Sequence, residues 1–76
     1  MVRTKFVCSE VTKQQHWDKS KGFLYRAKFY AVHDGSEENK AFFDATPAGN
    51  LELATYKRDL FEPGVEYYLD FTKADR

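Results

Sequence analysis

Two stretches of the chain alternate apolar and polar side chains with a period of two residues. In residues 23–32 every odd position is aromatic or alanine, and two of the intervening positions are cations. Residues 65–72 show the same order, with hydrophobic side chains at the odd positions. Such alternation is typical of a β-strand with one buried and one solvated face. We therefore predict two strands whose odd-numbered side chains share one interior.

Three further strands are predicted from weaker patterns. Residues 2–12 are rich in Val, Thr and Phe, but hydrophobic side chains occupy both even and odd positions there. This change of parity predicts a β-bulge or a strand covered on both faces. Residues 41–46 and 50–56 also alternate, and we predict one strand in each.

Glycine and proline mark the predicted turns. Asp34-Gly35-Ser36 fits a tight reversal, Thr46-Pro47-Ala48-Gly49 a type I turn within a hairpin, and Glu62-Pro63-Gly64-Val65 a type II turn. Residues 56–61 are compatible with one helical turn, and residues 14–22 form the longest polar connection. The predicted fold is all-β: five mainly antiparallel strands in a small barrel or strongly bent sheet, OB-like arrangements included, with at most one short helical turn.

The length of the chain bounds its organisation. Its 76 residues, 17% of them aromatic, accommodate a single small β domain over 1–76. One cysteine excludes a disulfide framework and a structural zinc site, and we expect no cofactor. Charges interrupt every apolar stretch and no apolar segment follows the basic first residues, so we expect neither a secretory signal nor a membrane partner. Small domains often gain stability by self-association, which predicts a homo-oligomer.

The net charge is zero, but its distribution is uneven. Residues 1–33 hold seven basic and two acidic side chains, a net +5, whereas residues 34–76 hold five basic and ten acidic side chains, a net −5. A neutral total disfavours binding to nucleic acid. The division permits one basic face, or a head-to-tail or two-fold contact between opposite patches.

Three segments between residues 36 and 71 resemble a known group of proteins. They are Ser36-Glu37-Glu38-Asn39-Lys40 with Phe42 or Phe43, Thr46-Pro47-Ala48-Gly49 with Leu51 and Leu53, and the most specific run, Phe61-Glu62-Pro63-Gly64-Val65-Glu66-Tyr67-Tyr68-Leu69-Asp70-Phe71. Together they are similar to a group of short tailed-phage proteins. The resemblance implies a phage accessory protein acting in the host bacterial cytoplasm. The group brings no catalytic residues to carry over.

The residues that could support catalysis do not form a recognisable arrangement. Cys8 lies in a strand pattern, where cysteine is more often a small buried hydrophobic residue than a thiolate. His16 and His33 lack a nucleophile in a suitable sequence context. The four glycines are isolated, so no phosphate-binding loop is present. We therefore predict a protein without enzymatic activity and without a metal site.

Basic and aromatic residues are interleaved between residues 17 and 30. Arg26, Lys28 and Tyr30 share the side of a predicted strand that faces away from the interior, and Trp17 lies in the preceding loop. Cations of this kind can contact phosphates while aromatic rings stack on bases, although lysines on a strand also prevent edge aggregation. Tyr68 also faces away from the predicted interior, and tyrosine is enriched at protein interfaces. The candidate ligand- or partner-binding residues are Trp17, Arg26, Lys28, Tyr30 and Tyr68.

Three functions are compatible with these features. The favoured one is a phage accessory binding protein that interferes with host machinery, either by binding a host protein or by sequestering a small anionic, nucleotide-like ligand. The first alternative is a single-stranded nucleic-acid-binding OB-like module, which the neutral charge disfavours. The second is a minor structural or assembly protein of the virion.

Overall fold

A computed structural model describes residues 2–75. It contains a single antiparallel sheet and one short α-helix between its second and third strands. The elements are β1 (Val2–Gln15), β2 (Phe23–Ala31), α1 (Glu37–Phe43), β3 (Asn50–Thr55) and β4 (Glu66–Phe71). The strand order is β3-β2-β1-β4, so the two longest strands lie at the centre. The predicted antiparallel β architecture is confirmed.

The prediction of five strands in a barrel or OB-like fold is wrong. Over residues 2–75 the sheet has four strands and stays open, because β3 and β4 lie at opposite edges. The strand predicted over residues 41–46 is replaced by the end of α1 and the loop that follows it. Ser36 caps this helix by accepting the N–H of Asn39, and two glutamates occupy the first turn, where they complement the helix dipole. These capping interactions outweigh a short alternating pattern.

Two of the predicted turns are confirmed. Gly35 has φ 76° in the reversal after β2, and Gly64 has φ 89°. The N–H of Val65 donates to the carbonyl of Glu62 at 3.2 Å, as a type II turn requires. Two other expectations are wrong. Residues 46–49 do not join two strands, and residues 56–61 form bends instead of a helical turn.

The irregularity predicted in the first strand is a β-bulge. The register between β1 and β2 shifts between Cys8 and Glu10, so Ser9 is the extra residue. Phe6 and Cys8 before the bulge and Val11 after it therefore face the same interior. The bulge explains why hydrophobic residues change parity along this strand.

The hydrophobic core lies on one face of the sheet. Phe29 is 2% exposed, and its ring packs edge-on against Phe61 and Tyr67, with centroids 5.1 and 5.9 Å away. The other members of the cluster are Phe6, Cys8, Ala27 and Ala31. The odd positions at the centres of β2 and β4 therefore share one interior, as predicted. The prediction is wrong at the strand ends, where Phe23 is 46% and Phe71 55% exposed.

Within residues 2–75, the elements outside the sheet pack against the core face. Phe43 of α1 and Phe61 of the loop before β4 pack against the buried cluster. The opposite face, formed by the even positions of β2 and β4, carries mostly exposed side chains. We call it the open face. Within residues 2–75, no helix combines the length and hydropathy that a membrane crossing requires.

Candidate functional site

The open face carries four of the five predicted contact residues. Arg26, Lys28 and Tyr30 project from β2, and Tyr68 projects from β4 on the far side of β1. Two strand spacings separate β2 from β4, which is about 10 Å. Tyr30 is 50% and Tyr68 53% exposed. The sheet therefore presents two exposed tyrosine rings on one face, one on each side of β1.

Both cations on β2 are paired with acidic side chains of the neighbouring strands. The Nζ atom of Lys28 lies 3.2 Å from a carboxylate oxygen of Glu10 and 3.8 Å from one of Glu52. The hydrogen bond with Glu10 raises the pKa of Lys28 above its ordinary value. Arg26 lies 3.5 Å from Glu52 and donates a hydrogen bond to the side chain of Gln14 at 2.9 Å. Acidic side chains of the neighbouring strands therefore neutralise the charges of both Arg26 and Lys28.

Tyr68 lies between two cations of β1. The guanidinium carbon of Arg3 is 4.7 Å and the Nζ atom of Lys5 5.4 Å from its ring centroid, within the range of cation–π attraction. Arg3 also donates two hydrogen bonds to Asp70, at 2.7 and 2.9 Å. Lys5 lies 3.6 Å from Glu66. The ring of Tyr68 is thus exposed but held in place by its neighbours.

The fifth predicted residue, Trp17, lies far from this face. It is 87% exposed at the tip of the hairpin that joins β1 to β2. Tyr30 is paired with Val7, whereas the last pair before the tip is Gln15 with Phe23. Eight residues of β1 separate these two pairs, a distance of about 26 Å. The structure therefore separates Trp17 from the tyrosines of the open face.

The sequence analysis does not identify the side chains that hold the hairpin tip in place. His16 is 9% exposed, and its Nδ1 atom accepts the backbone N–H of Asp18 at 2.9 Å. Its Nε2 atom lies 2.8 Å from the hydroxyl oxygen of Tyr56, and its ring centroid 5.1 Å from that of Trp17. No local pattern connects residues 16 and 56, because β2–β3 pairing brings them together.

The chemistry available to Cys8 is limited by its position. Its side chain is fully buried, and burial raises the pKa of the thiol above its ordinary value. A buried, protonated thiol is a poor nucleophile and a poor metal ligand. Within the described part of the chain, no three His, Cys, Asp or Glu side chains are grouped as metal ligands would be.

Comparison of the chain with protein-family models finds no match, and neither does comparison with curated proteins or with solved structures. The resemblance of residues 36–71 to tailed-phage proteins stays a prediction. The functional proposal below is therefore argued from the side chains of the open face.

Proposed function

We propose that the protein is a non-enzymatic binding module that takes a protein partner on the open face of its sheet. The observation that carries this proposal is the contrast between charges and rings on that face. Its described cations, on β1 and β2, are each paired with an acid, while Tyr30 and Tyr68 stay exposed. Exposed, positioned tyrosines surrounded by polar groups are the usual composition of a protein-binding surface.

The pairing of charges on the open face disfavours a small anionic ligand at that face. Binding a phosphate group requires cations whose charge is available to it. Glu10 and Glu52 already neutralise Lys28, and both carboxylates would repel an approaching anion. A single-stranded nucleic acid is disfavoured at this face for the same reason, and the described sheet has no OB-like barrel to support it.

The resemblance of residues 36–71 makes the proposal more specific. If the protein acts like short tailed-phage proteins, its partner is a protein of the host bacterium, and binding interferes with host machinery in the cytoplasm. A role as a minor virion component remains the alternative, and the open face would then contact another virion protein.

The proposal is tested by affinity capture with matched variants. The tagged protein is used as bait in a bacterial lysate, and the captured partner is then purified and titrated by calorimetry. We expect the double variant Tyr30→Ala/Tyr68→Ala to bind at least about tenfold more weakly, since two anchor residues are lost. Leu60→Ala removes a side chain that is also 50% exposed, from the loop before β4, and should bind like the wild type.

Two results would overturn the proposal. One is a partner that binds the double tyrosine variant as tightly as the wild type. The other is a rise in melting temperature with a nucleotide, since a ligand that binds the native state stabilises it. Single-stranded oligonucleotides are tested in the same way, with salt dependence as the second readout.

A further inference from the structure

The accessible surface of the molecule is larger than that of a typical monomeric protein of the same mass. Its accessible surface is 6044 Å² at 8.9 kDa. A monomeric protein of this mass typically exposes about 4,800 Å². The Cα radius of gyration is 14.7 Å, against about 11 Å for a typical compact domain of this length. The excess of about 1,200 Å² matches the total area that a modest protein interface buries.

The longest dimension of the molecule matches the length of β1. β1 has 14 residues, and the longest dimension of the molecule is 46 Å. At about 3.3 Å per residue, β1 alone spans that dimension. Its two ends therefore define two poles. We call residues 13–23 and 56–59 the hairpin pole, and residues 2–3, 33–44 and 70–75 the helix pole.

The hairpin pole is basic and carries the most exposed aromatic side chain. It holds five basic and two acidic residues, a net charge of +3. The described ion pairs include none of its five cations, which are Lys13, Lys19, Lys21, Lys57 and Arg58. Trp17 projects among them and is 87% exposed, although His16 and Tyr56 fix the backbone beside it. This pole offers an exposed indole among cations that take part in no described ion pair, although Lys13 lies 4.2 Å from the centroid of the Phe23 ring.

The helix pole has the opposite character. Val2, Phe42 and Phe71 are 42%, 49% and 55% exposed. Val2 is paired with Phe71 across β1 and β4, and it lines one shallow depression with Phe42 and another with Phe71. These three side chains form one apolar patch. The pole holds six acidic and three basic residues, a net charge of −3. Glu38 and Arg3 line the depression beside Phe42, and Lys73 lines the one beside Phe71.

We infer that the chain associates with itself head to tail, with Trp17 of one copy seated on the Val2–Phe42–Phe71 patch of the next. The net charges of the two poles are equal and opposite, so attraction orients the contact while burial of Trp17 stabilises it. A contact of about 600 Å² per copy at each pole would cover the excess surface. Because two different surfaces meet, the contact repeats along a row or ring instead of closing as a two-fold dimer. The contact uses neither Tyr30 nor Tyr68, so this inference does not depend on the proposed function.

Sedimentation velocity over a range of protein concentrations tests the inference. We expect the wild-type mass to rise beyond two copies with concentration and to fall with added salt, because charge pairing between the poles is screened. Trp17→Ala disables one pole, and Phe42→Ala/Phe71→Ala disables the other. Each variant alone should remain monomeric, with an unchanged circular dichroism spectrum. Leu60→Ala should assemble like the wild type.

Mixing the two disabled variants gives the decisive measurement. The intact helix pole of the Trp17→Ala chain can accept the intact hairpin pole of the Phe42→Ala/Phe71→Ala chain. The mixture should therefore form complexes of two copies and none larger. A wild type that stays monomeric at low salt would overturn the inference. So would a mixture without complexes, or a Trp17→Ala variant that assembles normally.

Discussion

The side chain of Asn39 occupies the place of a strand residue opposite Lys5. Its Oδ1 atom accepts the backbone N–H of Lys5 at 2.7 Å, and its Nδ2 atom donates to the carbonyls of Lys5 and Val32 at 2.7 and 2.9 Å. Since β2 ends at Ala31, the N–H of Lys5 lies beyond the last regular pair of the ladder, while the carbonyl of Lys5 also accepts the N–H of Val32 at 3.1 Å. One buried amide therefore continues the sheet and attaches α1 to it.

Replacement of Asn39 should destabilise the protein far more than its small size suggests. We expect Asn39→Ala to lower the free energy of unfolding by about 2–4 kcal/mol, because three hydrogen bonds are lost and buried backbone groups are left without partners. Asn39→Asp should cost more at neutral pH, since a carboxylate cannot donate to two carbonyls. Urea denaturation measures both. Lys40→Ala, at the exposed next position, is the control, and equal stability of Asn39→Ala and the control would contradict this role.

The same amide shows why the helix was missed in the sequence. Alternation over residues 41–46 predicts a strand, but a run of six residues is too short for periodicity alone to separate a strand from a helical turn. Ser36 provided a local capping signal. The role of Asn39 was not visible, because its partner Lys5 is 34 residues away in the chain. In contrast, the change of parity over residues 2–12 predicts a bulge or a strand covered on both faces. The structure shows the bulge and places it at Ser9.

The sequence predicts which side chains of β2 share the open face, but it does not predict which acids pair with the cations there. Period-two alternation placed Arg26, Lys28 and Tyr30 on one side, and the structure agrees. The acids that neutralise the two cations come from β1 and β3, on opposite sides of β2. Which acid meets which cation depends on the register of two strand pairs, and the bulge in β1 shifts one of them. Alternation within a single strand contains no such information.

Cys8 should be unreactive in the folded protein. The side chain is fully buried and its pKa is raised by burial, so access and thiolate formation are both suppressed. We expect a thiol-specific colorimetric reagent to modify Cys8 rapidly in concentrated urea and extremely slowly without denaturant. The Asn39→Ala variant should react faster than the wild type, because it unfolds more often. Rapid labelling of the native wild type would show that the core around Cys8 is open.

The pair of Arg3 and Asp70 should contribute to the dependence of stability on pH. Hydrogen bonds from Arg3 hold the pKa of Asp70 below its ordinary value of 3.8. A carboxyl group whose pKa is lower in the folded state contributes stability above its unfolded pKa, and that contribution is lost as the pH falls through the folded value. Arg3→Gln should therefore raise the pKa of Asp70.

Two measurements check this prediction. Carboxyl carbon shifts followed by NMR give the pKa of Asp70 directly. Urea denaturation at a series of pH values should show a difference in stability between Arg3→Gln and the wild type that shrinks as Asp70 becomes protonated. Lys40→Gln removes a cation from the helix surface and should leave the Asp70 titration unchanged. An Asp70 pKa that is the same with and without Arg3 would exclude the coupling.

The hydrogen bonds of His16 determine which ring nitrogen carries the proton. The N–H of Asp18 can only donate, so Nδ1 of a neutral ring must be the acceptor. The proton then lies on Nε2, which donates to the hydroxyl oxygen of Tyr56. Long-range proton–nitrogen NMR spectra should show this single tautomer in the wild type.

Tyr56→Phe separates the two hydrogen bonds of His16. The variant removes the acceptor for Nε2 and should cost about 1 kcal/mol of stability, while the contact with Asp18 keeps the proton on Nε2. Tyr30→Phe, at an exposed position of the open face, should change neither quantity. Because His16 stacks near Trp17, loss of the Tyr56 contact should also alter tryptophan fluorescence at the hairpin pole. A ring protonated at Nδ1 in the wild type would mean that the Asp18 contact is absent in solution, and the anchoring of the hairpin tip would then need another explanation.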